Sequence, residues 1–74
     1  MLDGESLEMK EIATIRFEDA GEHCDAVAIV RADSTHVAVC LSLASAGDTE
    51  VVMPRETARQ LVAALEKGIS PDAD

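Results

Sequence analysis

The sequence predicts an α+β domain, a four-stranded antiparallel β-meander with one C-terminal α-helix packed on one face. Three observations lead to it. Residues 35–43, T-H-V-A-V-C-L-S-L, alternate strictly, with Val37, Val39, Leu41 and Leu43 on one side and His36, Ala38, Cys40 and Ser42 on the other. Further short segments of β-type composition flank this central strand, set apart by polar stretches that hold Gly21, Asp33-Ser34 and Gly47. Residues 54–68 carry the clearest helical period in the chain.

Residues 1–10, M-L-D-G-E-S-L-E-M-K, hold no sustained period and read as a flexible arm, ahead of a single domain over 11–69 and an acidic tail over 70–74. The first strand is expected over 11–17. It sets Ala13, Ile15 and Phe17 on one face and Ile12, Thr14 and Arg16 on the other, with Ile15 and Phe17 in the core. Residues 18–25, E-D-A-G-E-H-C-D, form a polar loop turning on Gly21.

The second strand, 26–31, alternates Val27 and Ile29 with Ala26, Ala28 and Val30. Pairing Ile29 with Val39 and Val27 with Leu41 collects the larger side chains on one face, and that register requires an odd turn across 32–36. Residues 44–48 make a second hairpin loop around Gly47, and 49–53 return as the fourth strand with Val51 and Met53 inward.

Pro54 ends the sheet and suits the first helical position, because its φ is fixed and its missing N–H would have no partner there. Glu56 lies in the first turn, Lys67 in the last, and Gly68 is placed to stop the helix. Ala58, Leu61, Val62 and Leu65 form one stripe, expected to cover a sheet face with Leu61 and Leu65 deepest.

Size and charge narrow the functional classes. A chain of 74 residues forms one domain and buries only about 60 to 65% of its unfolded surface, so its core is thin. Fifteen acids against six bases give a net charge of −9. Residues 1–25 hold eight acids and two bases, 26–46 one of each, and 47–74 six acids and three bases. Such a field repels nucleic acid and anionic membrane and attracts basic protein surfaces. Phe17 is the only aromatic residue, so a stacking platform for single-stranded nucleic acid is missing. The opening M-L-D-G-E lacks the basic start and apolar run of a signal peptide, and no apolar run reaches membrane-spanning length. A cytoplasmic protein with reduced thiols is expected.

The chemistry-bearing residues do not assemble into a known site. His23, Cys24, His36 and Cys40 invite a zinc reading, but two residues four apart on a strand lie roughly 13 Å apart, and zinc ligands sit about 2.0 to 2.3 Å from the metal. No metal and no cofactor is expected. A Cys24–Cys40 disulfide fails similarly, since Cys40 is expected opposite Ala28, too far from Cys24 for a bridge. Nucleophile elbows, phosphate loops and dinucleotide fingerprints are missing, so no catalytic residue is assigned and no enzyme is expected.

The remaining signal is acidic. Glu18, Asp19, Glu22 and Asp25 fall in one expected loop, and Asp48 and Glu50 flank the second hairpin. Carboxylates two apart on an extended chain lie about 6.6 Å from each other, much as neighbouring phosphates do. The expectation is a small acidic binding protein that occupies a basic, nucleic-acid-binding surface of another protein, without contacting nucleic acid or membrane itself. Proteins of this size and charge that lack catalytic equipment include phage-encoded inhibitors of the anti-CRISPR type, other DNA mimics, and antitoxins that block basic nucleases. The alternative is a homodimeric structural or regulatory module whose charge only confers solubility. In either case the sheet face expected to carry Ile12, Ala28, Val30, Ala38, Cys40 and Val52 is too apolar for solvent, which predicts a homodimer stacked through it.

Overall fold

A computed structural model describes residues 9–70. The expected arm, apart from residues 9 and 10, and the tail beyond residue 70 lie outside the described residues. The elements follow the expected order: β1 (Lys10–Asp19), β2 (Cys24–Ala32), β3 (His36–Leu43), β4 (Gly47–Pro54) and α1 (Arg55–Ile69). The four strands form one open antiparallel sheet in sequential order, followed by a single helix, which is the α+β meander read from the pattern.

The strands run further than their alternating cores because the turns close tightly. In the first turn the Asp19 carboxylate accepts the Glu22 N–H at 2.6 Å, and the Asp19 carbonyl accepts the His23 N–H at 2.7 Å. The left-handed residue is His23, with φ 57°, and not Gly21. The expected eight-residue loop therefore shrinks to residues 20–23, and Glu18 and Asp25 face each other in the ladder. Between β3 and β4 three residues suffice, and Gly47 takes φ 88°, a conformation that a side chain would strain.

The β2–β3 register differs by one residue from expectation. Val30 pairs with Val39, Ala28 with Leu41, and Ile29 with Cys40. The turn decides this. One Asp33 carboxylate oxygen accepts the Thr35 N–H at 2.8 Å, the His36 N–H at 2.7 Å and the Thr35 hydroxyl at 3.3 Å. The Asp33 N–H in turn donates to the His36 carbonyl at 3.0 Å, which leaves an even connection. Matching side chains across the strands competes poorly with this set, because β2 is apolar on both sides.

The register defines two faces. The apolar face carries Ala13, Ile15 and Phe17 of β1, Ala26, Ala28 and Val30 of β2, Val37, Val39, Leu41 and Leu43 of β3, and Val51 and Met53 of β4. The mixed face carries Thr14, Arg16, Glu18, Asp25, Val27, Ile29, Arg31, Ala38, Cys40, Ser42, Asp48, Glu50 and Val52. Ile12 is the extra residue of a β-bulge between Glu11 and Ala13 and belongs to neither ladder.

The placement of the core differs most from expectation. Among the described residues only Ala26 and Ala38 are buried. Ile15 and Phe17, expected inside, are 54% and 45% exposed, and Leu41 and Val51 are 53% and 52% exposed. The helix is joined to the sheet but does not bury its stripe. Ala58, near its start, is half-buried, whereas Leu61 is 40% and Leu65 56% exposed. The cause lies in the join. Pro54 is the last residue of β4 as well as the cap of the helix, with φ −64° and ψ 156°, so no loop lets the helix fold back flat. An Arg55 guanidinium bond to the Asp33 carbonyl at 3.3 Å ties the first turn to the β2–β3 turn. At the other end Gly68 stays helical, and the stop comes at Ser70, whose extended backbone (φ −66°, ψ 130°) precedes Pro71.

Candidate functional site

The six carboxylates expected to contact a partner are partly brought together. Glu18, Asp25, Asp48 and Glu50 share the mixed face, Glu22 sits in the β1–β2 turn, and Asp19 falls in register with the apolar face while its carboxylate bonds back into the turn. Glu18 and Asp25 are directly opposed on neighbouring strands, an arrangement that costs stability because like charges are held together. Glu18 has His23 at 3.8 Å, an ion pair only when the imidazole is protonated.

Two of the four are engaged within the chain. Asp48 accepts the Ser42 hydroxyl at 2.7 Å. Glu50 pairs with Arg31 at 3.1 Å, a contact that runs from β4 to β2 across β3 at the level of Ala38 and Cys40. Sequence reasoning missed Arg31, because only the true register puts it on the same face as Glu50. Asp33 belongs to the fold rather than to this surface. Backbone N–H groups of Thr35 and His36 hold its carboxyl below the ordinary carboxylate range.

The six residues expected to form one dimer face do not share a face. Ala28 and Val30 lie on the apolar face, Ala38, Cys40 and Val52 on the mixed face, and Ile12 in the bulge. The one-residue difference at Asp33 is the cause, since a slip by one exchanges every side chain of a strand between faces. The apolar face that results is larger than expected and continuous. It adjoins a groove between the helix and β3 lined by Val37, Arg55, Ala58, Arg59 and Val62.

Cys24 and Cys40 are free thiols, with Cys24 Sγ 3.5 Å from Ser45 Oγ. Cys40 lies opposite Ile29 rather than Ala28, one residue further from Cys24 than expected. No group of three or more His, Cys, Asp or Glu side chains among the described residues is placed to hold a metal ion. No helix among them is long and apolar enough to cross a membrane. Compared with known protein families, curated proteins and solved structures, the chain finds no match.

Proposed function

We propose that this chain is a non-catalytic binding protein whose mixed, acidic face occupies a basic, nucleic-acid-binding surface of another protein. The observation that carries the reading is the segregation of charge. Glu18, Asp25, Asp48 and Glu50 lie on one sheet face, and the opposite face over the same strands is almost wholly aliphatic. Neighbouring strands stand about 4.8 Å apart and alternate residues about 6.6 Å apart, so Glu18 with Asp25, and Asp48 with Glu50, form two pairs on the scale of phosphate spacing, about 12 Å from each other across Val27 and Ser42. A basic groove that spans both pairs meets negative charge at each.

The test uses a charge reversal that the fold tolerates. Glu18→Lys converts the repulsive Glu18–Asp25 pair into an opposed acid and base, which favours the sheet by about 0.2 to 1 kcal/mol. Wild-type chain fixed to a resin is expected to capture a nucleic-acid-binding protein from its host, to release it as salt rises, and to lose it to added DNA. The doubly reversed Glu18→Lys, Asp48→Lys chain is expected to capture none of it. Equal capture by the reversed chain, or indifference to DNA, overturns the reading.

A homodimeric structural or regulatory module is the second reading. It is favoured by the intramolecular partners of Asp48 and Glu50, Ser42 and Arg31, which leave fewer carboxylates free for a partner. On this reading partner binding is insensitive to salt.

A further inference from the structure

We infer that the apolar sheet face and the helix stripe are covered by a second copy of this chain, each helix lying across the sheet of the other copy. The exposed side chains argue for it. Among the described residues only Ala26 and Ala38 are buried, whereas Ile15, Phe17, Leu41 and Val51 on the apolar face and Leu61, Val62, Leu65 and Ile69 on the helix are 40 to 79% exposed. An aliphatic sheet face and an aliphatic helix stripe, both left open in one chain, complement each other between two copies.

Charge selects a copy over a foreign partner. The chain carries −9, which opposes self-association almost anywhere on its surface. On the apolar face only Lys10 and Asp19, at its two ends, bear charge in register with the aliphatic residues. It is the one sheet face on which two copies meet without bringing their acids together. A basic partner, by contrast, gains nothing from it. A copy is also present whenever the chain is made, as a chain with two buried alanines for a core requires.

The dimensions fit. Fifteen helical residues extend about 22 Å, enough to cross four strands whose outer members stand about 14 Å apart. Leu61, Val62, Leu65 and Ile69, exposed in the single chain, supply the apolar contacts along that crossing. The inference uses none of the carboxylates of the acidic-face reading, so either stands if the other fails.

Mass and cross-linking test it. Wild-type protein at micromolar concentration is expected to sediment at twice the 7.8 kDa chain mass, with a melting temperature that rises with concentration. Neighbouring residues then identify the face, because Val39 lies on the apolar side and Cys40 on the mixed side. A Cys24→Ser, Cys40→Ser, Val39→Cys chain mixed with a Cys24→Ser, Cys40→Ser, Leu65→Cys chain and treated with a short bismaleimide is expected to give a cross-linked dimer of the two, because the helix of one copy lies over the sheet of the other. A Cys24→Ser chain, with Cys40 as its only thiol, is expected to give none with the same Leu65→Cys chain. Wild-type protein that is folded and monomeric overturns the inference and assigns the face to residues outside 9–70 or to a foreign partner. Cross-linking through Cys40 and not through position 39 overturns the choice of face.

Discussion

The two faces of this sheet are built on the same four strands, one residue out of step, and they differ in what they need. On the mixed face, polar side chains of β2, β3 and β4 find partners within the sheet. Arg31 reaches Glu50 across β3, Ser42 donates to Asp48, and small Ala38 is buried at its centre. The apolar face buries Ala26, but Ile15, Phe17, Leu41 and Val51 on it remain about half exposed. Polar side chains find partners on neighbouring strands through hydrogen bonds, whereas an aliphatic face is satisfied only by another layer. The contrast leaves open aliphatic surface on one side and paired polar groups on the other.

The sharpest way to break the comparison is to put one charge on each side at adjacent positions. Leu41→Lys places an ammonium in the middle of the apolar face and is expected to abolish assembly and cost at least about 3 kcal/mol in urea denaturation. Ser42→Lys, one residue along on the mixed face and opposite Asp48, is expected to fall within about 0.5 to 1 kcal/mol of wild type. Equal losses would mean that the faces do not differ as described.

The helix extends the test. Leu61→Ala is expected to cost about 2 to 4 kcal/mol when the stripe is covered in the assembled protein. For a helix left as exposed as in the single chain, the loss is under about 1 kcal/mol. Denaturation at two protein concentrations separates these outcomes, since only an assembled helix gives a concentration-dependent midpoint.

On the mixed face, Arg31→Ala removes the bridge over β3. Both partners are 40% exposed, so the loss is expected to stay below about 1 kcal/mol and to shrink as salt screens the pair. Thermal melts of wild type and variant at low and high salt should converge as salt rises.

Acid provides the smallest effect. The Asp33 carboxyl is held below its ordinary value of 3.8 by the Thr35 and His36 N–H groups, so its contribution is full above that value. As pH falls below it, through the lowered folded value, the contribution is lost and the β2–β3 turn loosens. Asp33→Asn is expected to remove that part of the acid sensitivity, read as a smaller drop in melting temperature between neutral and acid pH.

Legibility followed the range of the interactions. The turn is legible as Asp33-Ser34, but side-chain volumes, which favour Ile29 opposite Val39, give it an odd length. Three hydrogen bonds to one carboxylate oxygen set a different length. The acidic residues were found by composition, yet which of them share a face was fixed only by that register, as was the pairing of Arg31 with Glu50. Gly21 and Gly68 read as a turn and a helix stop, whereas the chain turns on a left-handed His23 and stops its helix at an extended Ser70 before proline. Both substitutes are backbone solutions that composition signals weakly.

What the sequence by itself determined is the kind and order of the elements, because periods of two and of 3.6 residues are local properties of a chain. The meander order follows as well, since short polar turns can only join neighbouring antiparallel strands. Tertiary structure decided which residues share a face and how far the helix stands from the sheet. A strand that is apolar on both sides gains little from one register over another until something covers a face. The choice therefore passes to the hydrogen bonds of a four-residue turn, and through them to the whole surface this protein presents.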